Sequence, residues 1–174
     1  YDDKLNRKLM AHPSKDALKS EFGEWLKGVQ VSLDLFSPDN IPLETEENKE
    51  IQAYQKITGG MSVEFDGEVK TMQQLSAYME KTDRTLRERA WRAMWERRLK
   101  DKEALDNSYD KLFSIRKQIA KNAHCRDFID YIFLAKHRFD YTPTDCENFH
   151  ESIEKLVLPL QKEMYKRRAQ KMGL

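Results

Sequence analysis

The residues best equipped for chemistry are His150, Glu151 and Glu154, in the stretch CENFHESIEKLVLPL from Cys146 to Leu160. In the metal motif H-E-x-x-H, two imidazoles one helical turn apart bind zinc and the Glu between them acts as general base. His150-Glu151-Ser152-Ile153 fits the first four positions, but Glu154 stands where the second His belongs. A His nitrogen and a Glu oxygen four residues apart on one helix face can still supply two zinc ligands. A third protein ligand would have to come from elsewhere, and nothing marks one. His12, His124 and His137 offer no local pair, since no two of the four His lie within five residues. We therefore read His150 as a histidine on a helix surface.

Other catalytic signatures are missing. The sequence contains no G-x-x-x-x-G-K-[ST], G-x-G-x-x-G or G-x-S-x-G. The glycines of ITGGM follow a helix instead of preceding one, which reads as a C-cap and not a phosphate cradle. Arg138, Asp140 and Tyr141 in RFDY sit on a predicted loop. They are open to two uses, contact with a substrate and anchoring of the next helix.

The elements that must position these residues are mostly helices. Residues 2–11 form a short helix ended by HPS. Ser14 is expected to cap the next, with Leu18, Phe22, Trp25, Leu26 and Val29 as its apolar positions. SLDLFSPDNIPLE reads as an extended loop, and a helix starting near Thr45 carries Ile51, Tyr54 and Ile57 to Gly59-Gly60. MSVEFDGEVKT is the one β signal: alternating Met61, Val63 and Phe65, then Asp66-Gly67, a type I′ turn pair, giving a hairpin over about 61–70. Thr71 opens MQQLSAYME, and Asp83 caps RTLRERAWRAMWERRLK. There Leu86, Ala90, Ala93 and Met94 form a core stripe, widened by Trp91 and Trp95 with Arg87 and Arg98 stacked beside them. A helix over about 102–122 ends at NAHC, and RDFIDYIFLAK forms another. Thr142, Pro143 and Asp145 make a capping-box start for the last helix. Its expected buried stripe is Phe149, Ile153, Leu156, Leu160 and Met164, with a kink at Pro159.

Composition agrees with a mainly α fold. The 174 residues include 39% apolar and 35% charged residues, with only 6 Gly and 5 Pro, which favours long helices over many short strands. A net charge of +1 lacks the basic excess usual in nucleic-acid domains. The local exception is residues 81–102, with nine Lys or Arg against four acids. We read that segment as a solvated helix face. Cys125 and Cys146 form no C-x-x-C, which suits a reducing compartment and a cytoplasmic protein. No apolar run approaches the ~20 residues that span a bilayer. The chain opens at Tyr1 without Met and enters a helix at once, as a chain entered partway would.

Four segments, YQKITGGMSVEFDGE, DRTLRERAWRAMWERR, RKQIAKNAHCRDFIDYIF and RFDYTPTDCENFHESIEKLVLPL, resemble the oligoendopeptidase F family of zinc metallopeptidases, relatives of thimet oligopeptidase. Their order and spacing agree with the family over roughly residues 45–174. The resemblance implies a bowl-shaped, mainly helical enzyme that cleaves short peptides in a deep channel. It also implies zinc held by an H-E-x-x-H motif and a later Glu, all beyond Leu174. On this basis residues 1–124 are the N-terminal helical region, a channel wall. Residues 125–174 are the first helices of the catalytic domain. The segment is expected to carry no catalytic, cofactor-binding or metal residue and to be inactive alone. Its expected partners are the remainder of the catalytic domain and short peptides, with neither nucleic acid nor membrane. Two other readings stay open: a stand-alone helical interaction module, and an RNA-binding helical domain using residues 81–102.

Overall fold

The computed structural model describes residues 2–173, without the side chain of Asp2. It forms two compact units: residues 37–122, and residues 1–36 together with 123–174.

In the continuous unit, α3 (Asn40–Gly59) lies along α6 (Lys102–Asn122). Asn40 is buried at their junction. Its amide donates to the Ile119 carbonyl at 3.1 Å, and its oxygen accepts from Asn122 Nδ2 at 2.9 Å. Arg116 reaches Glu47 at 2.7 Å and Lys111 reaches Glu50 at 3.5 Å, so two basic residues of α6 meet the acids of α3. α3 begins at Asn40 and not near Thr45. The expected loop shrinks because Pro42 falls in the first turn, where its missing N–H has no intrahelical partner to lose.

The hairpin pairs β1 (Ser62–Phe65) with β2 (Glu68–Thr71), and Phe65 faces Glu68 across the turn. Asp66 and Gly67 take φ of 53° and 80°, the left-handed pair that a two-residue type I′ turn demands. Thr71 and Gln74 then form a complete capping box for α4 (Met72–Ser76), which runs into a 3₁₀ turn at Ala77–Glu80. Asp83 Oδ1 accepts from the Leu86 N–H at 3.1 Å and starts α5 (Arg84–Lys100). Phe65, Leu75 and Ala90 form the buried centre, with Leu86, Ala93 and Met94 packed against it. Trp91 and Trp95 do not extend that core, being 51% and 48% exposed. Val63, Met72, Tyr78 and Met79 complete that core instead. Arg98 does stack on Trp95, at 5.4 Å, whereas Arg87 instead donates to the Thr82 carbonyl at 2.9 Å.

In the discontinuous unit, α1 (Asp2–Met10) packs on α2 (Lys19–Asp34), which contacts α7 (Phe128–Ala135). His12, not Ser14, provides the local cap: its Nδ1 accepts from the Ser14 N–H at 3.2 Å and opens a 3₁₀ turn over Pro13–Leu18. Phe22 leaves helical geometry (φ −119°, ψ 24°), so Leu18, Phe22 and Trp25 stay exposed while Leu26, Gly28 and Val29 are buried.

α8 (Pro143–Ser152) begins with the expected capping box of Thr142 and Asp145. At Pro159 the chain does not simply kink. A π-turn occupies Ile153–Val157, with the Leu158 N–H donating to the Ile153 carbonyl, before α9 (Leu158–Lys171). The wide turn gives the proline ring room that a regular α-turn denies it. Of the expected stripe, Phe149, Leu156, Leu160 and Met164 are 62–73% exposed and only Ile153 is half-buried. Among the described residues no other element of this unit packs closely on α9 beyond the π-turn.

Candidate functional site

His150 sits in the last turn of α8 with its ring exposed, tilted against Phe149 at 6.4 Å. Glu151, the residue in the general-base position of the motif, is ion-paired with Lys155 at 2.7 Å. Glu154 lies exposed in the π-turn. Among the described residues no three His, Cys, Asp or Glu side chains converge as a metal cage would require. A catalytic zinc takes three protein ligands and a water, so the side chains around His150 do not fit one.

The more structured constellation surrounds RFDY. Asp127 caps α7, its Oδ1 accepting from the Asp130 N–H at 2.9 Å. At the other end the Arg138 N–H reaches the Phe133 carbonyl at 2.9 Å and the His137 N–H reaches the Leu134 carbonyl at 2.8 Å. That is a Schellman closure, with His137 in the left-handed position that glycine usually fills (φ 52°). The closure turns Arg138 back over α7: its guanidinium lies 5.0 Å from the Phe133 ring centre and 5.9 Å from that of Tyr141. Phe133 and Tyr141 meet edge to face at 5.7 Å. His137 stacks on Phe139 at 5.6 Å, and Lys27 Nζ stands 4.2 Å over the Phe139 ring. Arg138 and Tyr141 therefore tie α7 to the start of α8, the anchoring use weighed from the sequence. Asp140 is exposed.

Gly28 explains how α2 comes so close to this turn. A Cβ there would lie 2.8 Å from His137 Cε1, so the ring rests directly on the helix backbone. Neither Gly28 nor Lys27 stood out in the sequence; the only signal is a glycine tolerated inside a helix.

Between these elements lies an open groove of about 580 Å³, lined by Lys27, Cys125, Arg126, Arg138, Phe139 and Tyr141 among others. Burial, then Asp130 and Asp127, push the Cys125 thiol up, which keeps it protonated and a poor nucleophile. Arg126 is engaged by Asp127 at 3.0 Å and Asp130 at 3.1 Å.

Four of the nine cations of the basic segment are ion-paired within its own unit. Arg89 pairs with Asp66, Arg92 with Glu88, Arg97 with Asp101 and Lys102 with Asp106. Among the described residues no helix is long and apolar enough to cross a membrane.

The model of Peptidase family M3 matches residues 77–174, more than half of the chain. The chain belongs to peptidase family M3. Solved structures share its fold. One is a Bacillus anthracis protein provisionally assigned as an oligoendopeptidase F, 24% identical with a TM-score of 0.92. Another is PZ peptidase A with an inhibitor, 26% identical with a TM-score of 0.93. Each match covers 99% of this M3 chain and 31–32% of the other, so the chain spans about a third of the length of those structures. A comparison with curated proteins gives no match. The M3 match includes α5 through α9, and with them the uncovered stripe and the groove's lining apart from Lys27.

Proposed function

We propose that this chain is the N-terminal portion of a cytoplasmic zinc metalloendopeptidase that hydrolyses short oligopeptides. Residues 1–124 form the helical region that shapes the substrate channel, and residues 125–174 begin the catalytic domain. The zinc ligands and the general base lie beyond Leu174, and the segment itself carries no catalytic residue. The observation that carries this reading is the family match over residues 77–174 together with a fold shared over 99% of the chain by structures about three times as long. The exposed stripe on α8 and α9 supports it, because an amphipathic helix in water needs a partner for its apolar side.

The test is expression of the reading frame extended past Leu174. The longer protein is expected to cleave a quenched oligopeptide, to lose that activity to a chelator and to regain it with zinc. The 174-residue chain is expected to cleave nothing. A longer protein that stays inactive with zinc, or activity in the short chain, would overturn the reading.

A further inference from the structure

The groove between α2 and the RFDY turn holds two cations that nothing described neutralises. Arg126, at its rim, is already occupied by two carboxylates, and Asp130 is spent on that pair. Lys27 and Arg138 also line the groove, and among the described residues neither lies within ion-pair distance of a carboxylate. Both are instead held against rings: Lys27 over Phe139 at 4.2 Å, Arg138 against Phe133 at 5.0 Å and Tyr141 at 5.9 Å. The rings fix the cations in place without cancelling their charge, and the Schellman closure fixes the backbone from which Arg138 projects.

We infer that this groove binds a carboxylate flanked by an apolar group, and that the ligand is the C-terminal residue of a short peptide. A guanidinium presents paired N–H donors that match the two oxygens of a carboxylate, and Lys27 adds a second positive charge. Phe139 and Tyr141 provide apolar walls for the terminal side chain. The inference rests on the peptidase reading for its choice of peptide, since a carboxylate from the protein's own further chain has the same chemistry.

The test uses the longer protein, with chelator present so that peptide is bound and not cut. Affinities are measured by calorimetry for one short peptide ending in leucine, as the free acid and as the amide. The free acid is expected to bind about tenfold more tightly. Arg138→Gln and, separately, Lys27→Met are expected to bring the two affinities together by weakening the acid more than the amide. Lys27 is exposed, so its variant keeps the test usable if Arg138→Gln fails to fold. Equal affinity for acid and amide in the wild type would overturn the inference. So would a preference that survives both substitutions. Equal affinity combined with an ion pair from Arg138 or Lys27 to a carboxylate in a structure of the longer protein would assign the site to the protein itself. Zinc-dependent hydrolysis by the wild type, measured without chelator, tests the peptidase reading separately.

Discussion

Gly28 and His137 are one structural decision made at two positions. The His137 ring lies where a Cβ on residue 28 would sit, and His137 itself holds a left-handed backbone. Gly28→Ala is expected to destabilise the discontinuous unit by ~1–3 kcal/mol, measured by urea denaturation, because the ring must leave its stack on Phe139. An unchanged midpoint would mean that the ring moves aside freely. Ser108 makes the opposite case. Its hydroxyl is buried in α6 with no hydrogen-bond partner among the described residues, so it contributes desolvation cost and no bond. Ser108→Ala is expected to raise stability by ~0.5–1.5 kcal/mol, seen as a higher melting temperature. Neither residue was visible as special in the sequence, because a glycine or serine inside a helical pattern looks the same whether a neighbour presses on it or not.

At the level of elements, start signals were legible and boundaries less so. Thr71, Asp83 and Thr142 accept at the positions that their types and spacing imply, since a cap is settled within one helical turn, whereas His12 caps in place of Ser14 and Asp127 caps α7 without having been singled out. Thr142→Ala is expected to cost ~1 kcal/mol of stability by denaturant melt. The acid partners add a pH dependence. The backbone N–H of Asp130, then Arg126, hold the Asp127 carboxyl below its ordinary range, and Thr142 does the same for Asp145. Both folded values are lowered, so these caps contribute fully above the ordinary carboxylate range and fade as pH falls through the lowered values. Melting temperature is expected to drop between about pH 5 and pH 2, and Asp127→Asn with Asp145→Asn to flatten that drop. The π-turn was not legible. Pro159 announced a disturbance, but whether a proline bends a helix or widens its preceding turn is settled by the backbone as a whole.

For the whole molecule, the uncovered stripe is the consequential feature. Phe149 of α8, Leu156 of the π-turn, and Leu160 and Met164 of α9 are each more than three-fifths exposed. The 174-residue chain is therefore expected to bind a hydrophobic dye and to self-associate at high concentration. Leu156→Glu with Leu160→Glu should weaken both, and the longer protein should show neither. Light scattering that finds a stable, dye-silent monomer would dismiss this expectation. The stripe also separates what each level of description could decide. The sequence by itself determined the mainly helical class, the Asp66-Gly67 hairpin, the helix starts at Thr71, Asp83 and Thr142, and the family, because these follow from contacts a few residues apart and from local side-chain patterns. Only the tertiary structure decided that Ala90 is buried while Trp91 is not, that Gly28 meets His137, and that Lys27 and Arg138 face one groove. The physical reason is range: helix and turn propensities act along the chain, whereas burial depends on whichever distant segment arrives to exclude water.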